Sequence, residues 1–352
     1  MADLENQIPT KNKGQRKRSN QSPDSNPAKK KRVALGELTN ISSDISGRAQ
    51  NLGVGKIRRP KPETLSEKTG NEMNLELAVS PGSDEPRKSG YAAASIFQHL
   101  HSIEVEAKRR PLSNYMEKVQ EDINPAMRTI LVDWLVEVAE EYKLVSDTLY
   151  LTVNYIDRYL SAYKLIRNKL QLLGVSCMLV ASKYEEITPP HIEDFCYITD
   201  NTYTKDEVVH MERDVLKFLG FEMSNPTTKT FLRAHWFYCC FQFSNIRFEF
   251  LCYYIAELSL TDYGCVRYIP SIVAASAIFL ARLTMQPKSH PWTLALQKHT
   301  GYKPYELKEC VLRLHNLLLT GETSARAVRQ KYMDHKVISY ILLCFSNLIS
   351  DV

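Results

Sequence analysis

The residues whose types could do chemistry are spread along the chain and do not assemble a reaction centre. Eight cysteines, Cys177, Cys196, Cys239, Cys240, Cys252, Cys265, Cys310 and Cys344, include no C-x-x-C pair, and most sit inside apolar runs. That pattern argues against a zinc site or a disulfide framework and predicts buried thiols in a reducing compartment. His99 and His101 are not at the i, i+4 spacing of a metal helix and lack evident carboxylate partners, so both are expected at the surface. No G-x-x-x-x-G-K-[ST] phosphate loop, no H-R-D or D-F-G pair and no G-x-S-x-G elbow is found. The expectation is a chain without catalysis, cofactor or bound metal.

What remains is the chemistry of binding. Met127, Ile130, Leu131 and Trp134 make an apolar stripe, and Leu131, Leu135 and Val138 make a second one on the same segment. Lys183 closes a long apolar run, and Glu212 stands beside Met211, Val215 and Leu216. Lys29, Lys30, Lys31 and Arg32 form a basic cluster, which reads as a nuclear import signal, with Lys13 and Arg16-Lys17-Arg18 upstream in the place of the first half of a bipartite signal.

The elements that must position these residues fall in two regimes. Residues 1–90 hold 17 Lys and Arg against 11 Asp and Glu, and are rich in Ser, Asn, Pro and Gly with almost no aromatics. Such a segment buries too little apolar surface to offset its chain entropy, so a disordered basic tail is expected. The remainder holds 28 Lys and Arg against 29 Asp and Glu. A folded nucleic-acid binder usually carries its basic patch on the fold itself, so a nearly neutral body argues against nucleic acid as a direct partner. No apolar run approaches the roughly 20 residues of a bilayer span, and the first residues carry no apolar core of a signal peptide. A soluble, intracellular protein is expected, with no membrane partner.

From Tyr91 onward the periodicity is helical and no strand alternation is found, so the fold class is all-α. The segment around Met127–Val138 places its apolar residues three and four apart, and Asn124-Pro125 supplies a cap and a first-turn proline. Further helices are predicted near 146–162, 167–186, 190–198 and 204–219, and after Gly220 and Pro226 near 227–242, 244–260, 267–283, 291–299 and 303–320. The two sets repeat each other. The run GVSCMLVASK ending at Lys183 is like IVAASAIFLAR ending at Arg282, and YTKDEVVHMERDVLKFL is like YKPYELKECVLRLHNLL. A long offset of this kind fits a duplicated five-helix domain and not a solenoid. The domains are placed at 91–225, with a preceding helix, and 226–352.

Three stretches carry a resemblance to a known family. Met127-Arg128-Thr129-Ile130-Leu131-Val132-Asp133-Trp134-Leu135 resembles the M-R-x-I-L-[IV]-D-W-L hallmark of the cyclin box, and its continuation through Val136-Glu137-Val138 resembles A-type cyclins, especially those of plants. SKYEEITPP from Ser182 and YITDNTYTKDEVVHMERDVLKFLGF from Tyr197 are similar to two further hallmarks. Thr129 stands where alanine is usual, and Tyr184 where animal relatives often have phenylalanine. The resemblance covers roughly 91–345, and a pair of tandem five-helix cyclin boxes explains the duplication.

The resemblance implies a regulatory subunit that binds and activates a cyclin-dependent kinase. Lys183 and Glu212 match positions that grip the kinase, with Tyr184, Ile187, Leu216, Phe221 and Met223 supplying apolar area. Met127, Ile130, Leu131 and Trp134 match an exposed groove for R-x-L peptides of substrates and inhibitors. Arg167 and Gln171 lie on its rim, and Glu137 and Asp200 match the acidic pair that takes the peptide's arginine. Arg32, Leu35, Leu38 and Asn40 fit R-x-x-L-x-x-L-x-N, which resembles the destruction box read by the ubiquitin ligase of mitotic exit. A nuclear regulator of S phase, G2 and mitosis follows. Two alternatives stand beside it. A TFIIB-like transcription factor also has two such domains, but would open on a zinc ribbon, and no cysteine precedes Cys177. A B-type cyclin would differ in timing and partner rather than chemistry.

Overall fold

The computed structural model describes residues 85–240, 246–320 and 325–333. The import cluster Lys29–Arg32 and the box Arg32–Asn40 lie outside the described residues. Within them every regular element is helical, and no helix is long and apolar enough to cross a membrane.

Helix α1 spans Glu85–Glu104, beginning inside the stretch assigned above to the tail, and a 3-10 turn over Ala107–Arg109 follows. After the single turn of α2 (Tyr115–Lys118) comes α3 (Pro125–Glu141). Asn124 caps α3 as its sequence predicts, its side-chain oxygen accepting the Met127 N–H at 2.9 Å with Pro125 in the first turn. Helices α4 (Ser146–Ala162), α5 (Leu170–Glu185), α6 (Ile192–Ile198) and α7 (Lys205–Leu219) complete the first set. The second set is α8 (Thr228–Cys240), α9 (Ile246–Thr261), α10 (Pro270–Met285), α11 (Leu294–Thr300) and α12 (Pro304–Thr320), with α13 (Arg326–Met333) after it.

Each set is built around one helix that is apolar on all sides. In α5 every residue from Leu170 to Ser182 is buried, and α4 and α7 pack along it. Its counterpart α10 packs against α8, α9 and α12. A helix without a polar stripe has to be surrounded, and small residues let its neighbours approach. A Cβ on Gly174 would stand 2.9 Å from Leu131 Cδ1, so α3 seats a leucine where α5 offers no side chain.

The two sets are joined by specific polar contacts. Arg128 on α3 is fully buried. Its Nε and Nη2 donate to the two oxygens of Asp157 on α4, both at 2.7 Å, while Nη1 reaches the carbonyl of Leu260 on α9 at 2.8 Å. Tyr115 donates its hydroxyl to the same Asp157 at 2.8 Å. Burial works against the guanidinium's charge, but the field of Asp157 outweighs it and raises the Arg128 pKa. Thr129, where the family pattern has alanine, donates its hydroxyl to Thr261 O at 2.9 Å and adds one more bond between the sets. Helix α13 lies across the seam. Its Lys331 ammonium meets Glu140 of α3 at 3.2 Å and Glu257 of α9 at 3.0 Å.

Helix α1 docks on the second set. Phe97 packs edge-on against Phe231 and beside His235 and His299, and Glu104 accepts the Ser271 N–H at 2.9 Å. This corrects the expectation for His101, which is half-buried, hydrogen-bonded to Glu104 and set edge-on to Tyr302. The carboxylate partner lies three residues along the same helix. His99 is exposed as expected.

Candidate functional site

Helix α7 carries the clearest local signals. Thr204 and Glu207 form a reciprocal capping box at its start. The Glu207 carboxylate also meets Lys169 at 2.9 Å. Backbone bonding at Thr204, then Lys169, holds its pKa down to about 2. The helix ends at Gly220 with φ 59°, the left-handed closure that glycine adopts without strain. Phe221 follows with φ 60°, a backbone that costs a side-chain-bearing residue about 1–2 kcal/mol. Two left-handed residues in succession turn the chain and leave the Phe221 ring 66% exposed.

On the neighbouring helix, Lys183 in the last turn of α5 donates to Glu212 Oε1 on α7 at 2.6 Å. The lysine is half exposed and the glutamate nearly covered. Just past them Tyr184 is 44% exposed and Ile187 fully exposed. Leu216 and Met223 are half-buried, and the Met223 carbonyl accepts the Tyr155 hydroxyl at 2.8 Å. Glu186, from the same SKYEE run, turns inward: it accepts the Val145 N–H at 2.8 Å and the Thr148 hydroxyl at 2.6 Å, fixing the start of α4. The ends of α5 and α7 are thus joined by an ion pair, with exposed apolar side chains at the end of each helix. Large contiguous apolar patches on a folded chain mark binding surfaces, whereas single exposed apolar side chains are ordinary.

The α3 stripe is less open than the sequence suggests. Ile130 is its exposed member, 37% accessible, whereas Met127 and Trp134 are buried and join the core. Leu131 has no accessible surface, being the side chain seated over Gly174. It supports the stripe from below and does not line a groove, which corrects that assignment. Gln171 on α5 is also buried, with its amide nitrogen unpartnered. Glu137 is exposed on α3, and Asp200 is exposed in the turn after α6 with φ 56°. Arg167 is committed to Asp122. Its Nη2 lies 2.6 Å from one carboxylate oxygen, and its backbone N–H donates to the other at 2.8 Å. The bond to Arg167 holds the Asp122 pKa below the usual carboxylate range.

Periodicity did not reveal two charged residues, one buried and one half-buried, inside the hallmark stretch. Arg128 is one. The other is Asp133, whose Oδ1 accepts the Ala327 N–H at 3.0 Å and so caps α13. Burial pushes the Asp133 pKa up to about 6, with the α13 amides opposing and Glu137 adding to the rise. A charged residue between apolar ones reads as solvated until its partner, far along the chain, is in place.

Two family descriptions match this arrangement of paired helical sets. The cyclin N-terminal domain covers residues 95–224 and the cyclin C-terminal domain residues 226–343. The chain belongs to the cyclin family. This cyclin is 52% identical over 330 residues to cyclin-A3-1 of Oryza sativa subsp. japonica, across 88% of its own length and 86% of the relative's. It is 48% identical over 338 residues to cyclin-A3-4 of Arabidopsis thaliana, across 93% and 90%. Its relatives are plant A-type cyclins. The fold of the cyclin is shared with a viral cyclin from herpesvirus saimiri, with a TM-score of 0.58 and 19% identity over 66% of this chain and 99% of the viral one.

Proposed function

We propose that this cyclin is the regulatory subunit of a cyclin-dependent kinase, binding it through the α5–α7 face and performing no catalysis itself. The observation that carries this reading is the Lys183–Glu212 pair set among the exposed Tyr184, Ile187 and Phe221. An ion pair with one open partner can exchange hydrogen bonds with a docking backbone, and the exposed rings supply area to be covered. Leu216 and Met223 back them from below. The cyclin binds the active arrangement of the kinase better than the inactive one and raises its share of the population, by no more than its differential affinity for the two.

The α3 surface serves recruitment in this reading. Ile130 and the edges of Met127, Trp134 and Gln171 hold a leucine, and the carboxylates of Glu137 and Asp200 take the arginine of an R-x-L peptide as a charge-assisted pair. Arg167, tied to Asp122, borders that surface. Holding substrates there raises their effective concentration at the kinase. The basic cluster at Lys29–Arg32 would bring the cyclin into the nucleus, and the Arg32–Asn40 box would hand it to a ubiquitin ligase when mitosis ends, closing its term in the S, G2 and M phases.

The test is phosphate transfer to histone H1 by a monomeric cyclin-dependent kinase mixed with the purified chain. Activation absent from either protein alone is expected. No activation of several such kinases would overturn the reading.

A further inference from the structure

A pocket of about 420 Å³ lies between the segment after α1, the end of α4 and the end of α7, away from the α3 stripe. Its volume falls in the range of roughly 300–1,000 Å³ typical of ligand sites. Lys108, Arg110 and Arg158 line it, with Glu222 at its edge.

Arg158 is the unusual member. It is only 4% exposed and its Nε has no hydrogen-bond partner. Its Nη1 reaches Asn154 Oδ1 at 3.5 Å, the outer limit of a hydrogen bond. Among the described residues no carboxylate lies within ion-pair range of it. A buried guanidinium with no carboxylate in ion-pair range is costly, and the more distant Glu222 offsets its desolvation only in part. Burial, the largest influence, draws its pKa below the usual arginine value. Arg128 on α3 shows the contrast: its burial is matched by both oxygens of Asp157, the residue before Arg158 on α4. Arg110, exposed at the same pocket, also has no carboxylate within ion-pair range among the described residues. Lys108 and Arg109 each have two, Glu106 (at 3.7 Å and 2.9 Å) and Glu222. Glu222 meets Lys108 at 2.7 Å and Arg109 at 3.4 Å. That carboxylate is itself exposed.

We propose that this pocket binds the phosphate of a phosphorylated serine or threonine on a partner protein, held between Arg158 and Arg110 with Lys108 released from Glu222. A phosphate monoester carries about −1.5 to −2 charge at pH 7 and three acceptor oxygens, enough to engage two guanidinium forks and an ammonium together. Leu112, Phe218 and Leu219 form the apolar wall, against which the carbon atoms of a peptide segment would rest. The proposal stands apart from kinase activation, because its test contains no kinase.

The full chain is titrated against a fluorescent peptide pool carrying one phosphothreonine among degenerate positions, against its unphosphorylated twin, and against inorganic phosphate as competitor. The phosphorylated pool should bind at least tenfold tighter than the twin. Arg158→Gln and Arg110→Glu should each weaken it at least tenfold, and Glu222→Gln, which removes the resident anion, should tighten it. Arg110 and Glu222 lie at the surface, so those two variants decide the matter even if Arg158→Gln unfolds. Equal binding of the twin would overturn the proposal. So would unchanged affinity in both surface variants, or inorganic phosphate binding without the phosphopeptides, which would mark a free-anion site.

Discussion

Asp133 accepts the backbone N–H of Ala327 at 3.0 Å, across 194 residues of sequence. The aspartate of the hallmark stretch in the first set therefore seats the first turn of the last described helix. Asp133→Ala should speed hydrogen exchange of the α13 amides, whereas Asp133→Asn keeps an acceptor and should leave them near wild type. Burial raises the Asp133 pKa to about 6, so the native chain holds a proton that the unfolded chain has released near pH 4. Its contribution is fully present below the unfolded value and is lost as pH rises through about 6. Denaturant midpoints from pH 4 to 7 should show wild type losing ground to Asp133→Asn.

The Lys183–Glu212 pair is partly solvent-exposed, and such pairs contribute roughly 0–1 kcal/mol to folding. Lys183→Ala with Glu212→Ala should leave the thermal midpoint within a few degrees of wild type but weaken kinase binding at least tenfold. Undiminished binding, read by titration against the kinase, would remove this face from the interface.

Trp134 is 7% exposed, and truncating a buried tryptophan costs about 3–5 kcal/mol. Ile130→Ala and Glu137→Ala are the cleaner probes of peptide recruitment, since both positions reach solvent. Each should lower phosphorylation of an R-x-L substrate several-fold and spare a short peptide lacking the motif. Equal loss on both substrates would assign the effect to the fold.

Arg128→Ala would leave Asp157 buried beside a tyrosine hydroxyl with no cation. Breaking a buried pair this way costs about 3–5 kcal/mol, and the Leu260 carbonyl loses its donor too. Chemical denaturation should show that loss, with the transition broadening as the two sets uncouple.

Helices long enough to show a period were legible in the sequence. The cap at Asn124-Pro125 and the surrounded runs of α5 and α10 stand where residue spacing put them, and the duplication is visible in both. The single turn of α2 and the polar octet of α13 were not anticipated, because one or two turns carry no readable period. The resemblance placed Leu131 in a groove, and the structure buries it. Spacing shows which residues share a helix face, but the gap at Gly174 decides which of them disappear. Arg128, Asp133 and His101 look solvated in sequence, and only their distant partners or helix neighbours account for the burial of Arg128 and the half-burial of the other two.

The bridging position of α13 has a consequence for how the protein is made. A ribosome releases the first set long before residues 326–333 emerge, so the nascent chain carries Asp133 uncapped and Glu140 without Lys331. Contacts so distant in sequence form late, and an unfinished half with an open seam is prone to misassociation. Completion of the first set thus waits on the last described helix, and a frameshift or premature stop before Arg326 would leave that set exposed to chaperones and proteases.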